Sequence, residues 1–591
     1  MPHASGRPWL LGTWAPGQLT VARTGTTVVA VIGTSPITAS RLAGLAARVR
    51  RVEDVDGVLR AAPGSAHVLV SAAGVVRAQG TVSALRQVFH TRVGGQIMAA
   101  DRADVLARMS GAGVDEDMLA TRVVCRGMAL PPPLAQRPLW RGVHAVAPDH
   151  YLRIDPDGTS ARPVRRWSPP DPGLSLAEGA LRLRQALSEA VAARRPDRGR
   201  WGSDLSGGLD STTLSFLAAR TRPADDGAGL VTYRWGEAEA GNDDAIFASS
   251  AAAALPHAQH VVTPQHELPA LFTDPQHPGD LESPYPFART LARIAHTAAI
   301  LAGHGVRTHL AGHGGDELFH ETPAYVHDLL RTDRCQALRH LRGFRALGRW
   351  PWPATLAALA DPCGLDAWWR AQADQLTQPA PSPYAPAPLS WGPPLRAPAW
   401  ATPAAIATAR AVLRDTAEHA HPLARRRGQH ATLAILGTSG PAYRQLARVF
   451  AAAGVRLEMP YFDDTVIDIT LAVRPEQRRM PWRYRPLQAE SMRGIVPPEI
   501  TGRSTKGEFG QDVRDGLAAN TAAILEVFTD SALATAGLID PARLRDRLLA
   551  PHADNTTVIA LEDLLGCETW LRTTTPTTVT PRGARLRHGN R

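Results

Sequence analysis

The chain is nearly without lysine: Lys506 is the only one, so 64 of its 65 basic residues are arginine. Cysteine is scarce too. Cys125, Cys335, Cys363 and Cys567 are far apart and form no C-x-x-C pair, which argues against a zinc ribbon, an iron–sulfur site or a disulfide framework and suits a cytoplasmic protein. No apolar run reaches the roughly 18 residues a membrane helix needs. The opening "MPHASGRPWLLGTWAPGQ" lacks the long apolar core of a secretory signal. Aromatics make up only 6% of the residues, and the basic stretches "LARRRGQH" (423–430) and "PRGARLRHGNR" (581–591) carry no interleaved aromatic rings, unlike a platform for single-stranded nucleic acid. Neither a nucleic acid nor a membrane is therefore expected as a partner.

What is present fits a globular protein of more than one domain: 591 residues, 44% hydrophobic and 20% charged. The formal charge of +10 fits first arginines spread over solvated faces, and as an alternative an anionic partner such as ATP, a polyanion or an acidic peptide. Residues 1–170 mix short β-like runs with turns; "TVVAVIG" (27–33), "AHVLVSA" (66–72), "GGQIMAA" (94–100) and "DHYLRIDPDG" (149–158) read as strands or hairpins. The proline-rich "SPPDPG" (168–173) marks the expected domain boundary. Beyond it, strands and helices alternate. Strands are expected at "RWGSDLS", "GLVTYRW" (229–235), "AQHVV" (258–262) and "VRTHLA" (306–311), with helices from Ser211, over 243–255 and over 287–303. That order predicts an α/β fold with a doubly wound parallel sheet and ligands at the carboxyl ends of its strands. Residues 351–405, rich in Pro, Ala and Trp, read as an insertion or long loop, and 406–570 as mostly helical.

One short string carries chemistry. "LSGGLDSTTL" (205–214) joins a weak strand to a helix. Gly207 and Gly208 let the backbone turn tightly, so that successive N–H groups face an anion. The helix start adds its positive end, and Ser206 and Ser211 add hydroxyl donors. Asp210 is placed to hold a magnesium ion that bridges phosphates. The loop has no Walker-type lysine, so it is not a kinase-style phosphate loop.

"SGGLDS" resembles the signature of the PP-loop ATP pyrophosphatases, which cleave ATP between its α and β phosphates. "LAGHGGDELF" (310–319) narrows the resemblance to the synthetase domain of the asparagine synthetase family. "GNDDAIFASSAAAALPHAQHVV", "LEMPYFDDTVIDITLAVRPEQR" (457–478) and the lysine loop "GRSTKGEF" also resemble it, with Glu458 where the family usually has arginine. "PLWRGVHAVAPDHYLRIDPDGTSARPVRRW" looks like the end of the family's glutaminase domain.

The resemblance implies a β-rich, Ntn-type glutaminase-like domain over 1–170 and an ATP-dependent synthetase domain over 171–591 ending in the basic tail 581–591. It implies ATP and Mg²⁺ as cofactors and ATP binding by Leu205, Ser206, Gly207, Gly208, Asp210, Ser211 and Gly312. It also implies magnesium on Asp210 and Asp316, and Lys506 as the cation near the reacting phosphoryl and acyl groups. Asp316 also reads as a plain helix cap.

One departure decides between branches. Family members that draw nitrogen from glutamine carry a cysteine directly after the initiator methionine; here Met1-Pro2-His3 stands at that place. The first domain is therefore expected to be a degenerate glutaminase, with the amine arriving another way. The β-lactam synthetases and the lasso-peptide cyclases lack that cysteine, and the chain looks most like the latter. Their partners would be a linear precursor (core) peptide and, with it, a leader peptidase and a leader-binding protein. His313 sits in a slot that resembles glutamate in asparagine synthetases and tyrosine in β-lactam synthetases. With an ordinary pKa near 6.5 it could take a proton from an α-ammonium, or only bond a ribose or backbone group. A β-lactam-type enzyme and an ammonia-using asparagine synthetase stay open as alternatives. A tRNA-modifying PP-loop protein and a peptide-binding pseudoenzyme fit less well, since thiolating members use paired cysteines and the lysine loop is intact. Lysine is a compact point charge and arginine a broad planar fork, so Lys506→Arg is expected to lower activity at least about a hundredfold; near-normal turnover in steady-state kinetics would remove the role.

Overall fold

The computed structural model describes residues 1, 9–56, 64–126, 130–196, 199–221, 229–237, 239, 241–275, 279–319, 322–504, 507, 510–550 and 555–574. An antiparallel sheet comes first, built from β1 (Leu19–Thr24), β2 (Thr27–Thr34), β3 (Ser65–Ala72), β4 (Val75–Gln79), β8 (His150–Ile154) and β9 (Ala161–Arg165) in that spatial order. A smaller sheet joins β5 (Phe89–Val93) to β6 (Gln96–Ala100) and β7 (His144–Ala145). The run "TVVAVIGT" is buried almost throughout, as a strand covered on both faces requires. Val29 and Val31 share one apolar cluster with Leu42 of the short helix Ala39–Ala46. Ala73 and Gly74 connect β3 to β4 with φ of 50° and 81°, two left-handed residues as a tight two-residue hairpin turn demands. The expected strands at 27–33, 66–72, 94–100 and 149–158 correspond to β2, β3, β6 and β8.

The second sheet is wholly parallel, in the order β12 (Gln259–Thr263), β11 (Leu230–Trp235), β10 (Arg200–Asp204), β13 (Val306–Leu310) and β14 (Arg456–Glu458). Helices Leu209–Arg220, Asp244–Ala253 and Leu291–Gly303 connect the first four in chain order. β10 starts the sheet and β13 returns to its other side, so the order reverses between them. At such a switch point the connections diverge and leave a crevice at the strands' carboxyl ends. Leu205 follows β10 and Ala311 follows β13, so the two glycine-rich motifs meet there. All four strands expected from the alternating pattern are present, and the helix expected from Ser211 begins at Leu209.

Residues 351–405, read as an insertion or long loop, are not a loop throughout. They hold helices Trp352–Ala360 and Leu365–Gln375 and the start of Pro403–His419. Trp368, Trp369 and Trp400 are buried in a cluster shared with the C-terminal helix Asn555–Thr574. The prolines that suggest a loop fall in the connections between these helices, or at a helix start, where a missing N–H costs nothing. Helices dominate 406–570, the longest being Arg427–Ala452. Among the described residues no helix is long and apolar enough to cross a membrane.

The six-stranded antiparallel sheet and the parallel sheet are tied together by a buried ionic knot. Arg194 donates through Nε to Glu458 at 2.9 Å and through Nη1 to Asp463 at 2.8 Å. The side chains of Arg194, Glu458 and Asp463 are 0, 3 and 0% exposed. From the antiparallel sheet, Thr34 Oγ1 donates to Glu458 at 2.6 Å and Gly64 N to Asp463 at 2.9 Å. The arginines hold the Glu458 carboxyl below its ordinary pKa against the opposing effect of burial. A glutamate at this position is thus matched by arginines supplied from elsewhere in the chain, Arg194 and Arg456. Glu458→Gln would leave Arg194 short of one counter-charge, and a cost of about 3 kcal/mol or more is expected on the scale of breaking a buried pair. Chemical denaturation of wild type and variant at pH 7 checks this. Because the folded pKa is depressed, Glu458's share of stability is present above the ordinary carboxylate range and is lost as pH falls below that range through the depressed folded pKa.

Candidate active site

The loop after β10 owes its shape to two constraints. Gly207 has φ +85°, and a Cβ there would fall on the backbone of helix Asp244–Ala253, so only glycine lets the loop pass that helix. Ser206 and Ser211 close the loop on itself. Ser206 N donates to Ser211 Oγ at 3.2 Å, the two hydroxyls lie 2.9 Å apart, and Ser211 Oγ donates to the Gly208 carbonyl at 3.2 Å. Gly208 caps helix Leu209–Arg220, whose first turn carries Asp210. The result is a run of backbone N–H groups beside a helix N-terminus, which suits a phosphate.

The second motif fits against the first. A Cβ on Gly312 would meet Ser211 N at 3.0 Å, and one on Gly315 would fall onto the Asp210 carboxylate. Glycine at both places lets the two loops close. Asp316 is joined to Asp210 through Arg485, whose guanidinium pairs with both carboxylates and whose side chain is 2% exposed. Arg485 has φ 41° and caps the short helix Pro486–Ser491, a left-handed backbone that costs a non-glycine residue about 1–2 kcal/mol. The phosphate loop is fixed from below by Tyr461, whose hydroxyl donates to the Asp210 carbonyl at 3.0 Å and accepts from Gln488 Nε2 at 2.9 Å.

His313 lies between the two motifs and the long helix. Its ring stacks on Tyr443 with centroids 4.4 Å apart and planes 22° from parallel. Tyr443 donates its hydroxyl to Glu317 Oε1 at 2.9 Å, and Gly314 N donates to the other oxygen at 3.0 Å. Burial lowers the His313 pKa below its ordinary value, outweighing the pull of Asp204, Glu317 and Asp316. The imidazole is therefore neutral at pH 7 and has a lone pair to accept a proton. Burial and Glu317 push the Tyr443 phenol well above 10, so it stays a donor.

These parts line one cavity of about 460 Å³, which includes Ser206, Gly208, Asp210, Ser211, Gly312, His313 and Asp316. Leu205 is buried just behind the loop, and Gly207 turns toward helix Asp244–Ala253. Lys506 lies outside the described residues, as does the basic tail 581–591. Two residues close to Lys506 in sequence, Arg503 and Gly507, are described. Arg503 donates to the Gly207 carbonyl at 3.1 Å, pairs with Asp244 at 2.7 Å and with Asp243, and lies over the Phe247 ring. Gly507 lines the cavity. Arg485, Tyr443 and Arg503 were not legible as site residues. In a chain with 64 arginines no single one stands out, and Tyr443 lies in the middle of a long helix.

The family model described as asparagine synthase matches residues 182–572, more than half of the chain. The parallel sheet and paired glycine-rich loops are those of an enzyme that handles a nucleotide at a switch point, and the chain belongs to the asparagine synthase family, a family of ATP-dependent carbon–nitrogen ligases. No curated protein gives a significant match. Two solved structures align at 10% identity: the allosteric regulatory enzyme of purine biosynthesis, and glutamine phosphoribosylpyrophosphate amidotransferase from B. subtilis complexed with ADP and GMP. Each alignment covers 43% of this chain and 63 or 64% of the other, with TM-scores of 0.18 and 0.17, too low to bear on this chain's fold or function. The lowered His313 pKa has a direct check: an NMR titration of ¹⁵N-labelled histidine should give a midpoint below 6.5 for this ring, and a midpoint at or above 6.5 contradicts the burial argument.

Proposed function

We propose that the chain adenylates an Asp or Glu side-chain carboxylate of a linear precursor peptide and closes a macrolactam with that peptide's N-terminal amine. The observation that carries this reading is a buried histidine, stacked on Tyr443, in the same cavity as the loop from Ser206 to Gly208. In the first step a carboxylate oxygen attacks the α-phosphorus of ATP, and the bond to the β-phosphate oxygen breaks. The N–H groups of the loop from Ser206 to Gly208 hold the departing pyrophosphate. In the second, the amine attacks the acyl carbon, His313 accepts its proton and AMP leaves. Lys506 is the cation for charge that builds on both reacting groups.

Asp210 and Asp316 fit a magnesium ion: both are hard oxygen donors, and both already converge on one cation, the Arg485 guanidinium. Bound there, the metal supplies charge neutralisation to the phosphates. Burial pushes the thiols of Cys125, Cys363 and Cys567 up to about 12, 11 and 12, away from the thiolate a nucleophile needs. A second cleft of about 380 Å³, lined by Trp482, Arg493, Pro498 and Thr501, shares Tyr484 and Arg503 with the main cavity. It gives room for a substrate longer than an amino acid.

Incubation with ATP, magnesium and a leader-processed core peptide should yield a product lighter by one water, with AMP and pyrophosphate in equal amounts. AMP without a cyclised product across the peptides encoded beside the gene would sink the peptide reading. Asparagine formed from aspartate and ammonia would select the ammonia-using alternative.

A further inference from the structure

The main cavity must take a polyanion, yet five of its described lining residues are acidic: Asp204, Asp210, Glu237, Asp244 and Asp316. Four of them meet an arginine. Asp210 and Asp316 pair with Arg485, Glu237 with Arg234, and Asp244 with Arg503. Among the described residues Asp204 has no such partner. Its Oδ1 lies 2.8 Å from His309 Nε2, and its side chain is 33% exposed.

His309 is 1% exposed and stacks on Phe450. Its Nδ1 is buried without a hydrogen-bond partner, and a Cβ on Gly202 would lie 2.6 Å from it. Strand β10 therefore closes that side of the ring. The geometry satisfies a ring that donates from Nε2 to Asp204, because a second N–H at Nδ1 would find no acceptor. Asp204 is thus held by one oxygen, and its Oδ2 has no donor among the described residues.

The Oδ2 of this partly exposed carboxylate faces the cavity as an acceptor left over for a ligand's N–H groups. We propose that Asp204, oriented by His309, binds the ammonium form of the attacking amine, a primary aliphatic amine such as a polypeptide N-terminus. This rests on the amide-forming reading above. Apolar residues lie beside the dyad, Phe450 stacked on His309 and Leu457 paired with it across β13 and β14, and Ile294 and Leu446 line the same cavity, which suits the short carbon skeleton of such an amine. The site is also on the right side of the cavity. Ser203 pairs with Leu310 across β10 and β13, which sets Asp204 near the loop that carries His313. An ammonium docked there gives one proton to His313. Its freed lone pair then forms the C–N bond, the C–O bond to AMP breaks with its electrons, and the nitrogen's second proton goes to the phosphate of the departing AMP. The competing occupant is the exocyclic amine of adenine, for which Asp204 would read the base.

Glycinamide serves as the probe for a peptide N-terminus, titrated into the full chain at pH 7 by NMR with labelled histidine. The His309 signals should move with glycinamide and stay in place with N-acetylglycinamide, which lacks the charge; this reading needs no variant. Asp204→Asn should weaken glycinamide binding at least about tenfold, on the scale of a hydrogen bond to a charged group, with the ATP dissociation constant within about twofold. Absent glycinamide binding, equal binding of the acetylated form, or equal binding by the variant would overturn the proposal. So would loss of ATP affinity with glycinamide binding intact, which would make Asp204 a base reader. None of these measurements requires turnover, so glycinamide binding without macrolactam formation would count against the peptide reading and leave the amine site standing.

Discussion

Two carboxylates from loops about a hundred residues apart in the chain are held by one guanidinium. Asp210 opens the helix after β10, Asp316 lies in the short helix after β13, and Arg485 spans them from a third segment. The rest of the site depends on that convergence. It keeps the loop from Ser206 to Gly208 closed against the second glycine-rich motif, which carries His313. The chain accepts a left-handed arginine to achieve it, the kind of backbone cost found where function over-determines a position.

The same logic operates one layer down. The antiparallel sheet rests on the synthetase core through residues 458–468. Beyond the Arg194 knot, Val82 N donates to Asp464, Ser83 to the Phe462 carbonyl and Trp167 to Asp468. Tyr461 and Phe462 lie in this same segment, and a Cβ on Gly314 would meet both. A disturbance at the sheet contact is therefore felt within one or two residues of the motif that carries His313.

Much of this was legible in the sequence because local pattern and tertiary role agree. The strands of the parallel sheet are short apolar-rich runs that alternate with helical ones, and the glycines of "SGGLDS" and "GHGGDE" sit where two loops must close on each other. Of the two readings of 351–405, insertion or long loop, the loop fails because proline content alone does not exclude helices, and Trp368, Trp369 and Trp400 drive their burial there. Arg485 and the Asp204–His309 pair were invisible because each is defined by a partner distant in sequence, which no spacing rule reports. Lys506 is the reverse case: it stands out in the sequence and lies outside the described residues.

If one cavity joins a carboxylate to an amine through an acyl adenylate, an ¹⁸O label in the precursor's acceptor carboxylate is carried into the nucleotide product. Mass spectrometry of the nucleotides after reaction of such a precursor should show one ¹⁸O atom in AMP and none in pyrophosphate. Label in a phosphate released with ADP, or unlabelled AMP alongside amide product, would contradict the acyl-adenylate route.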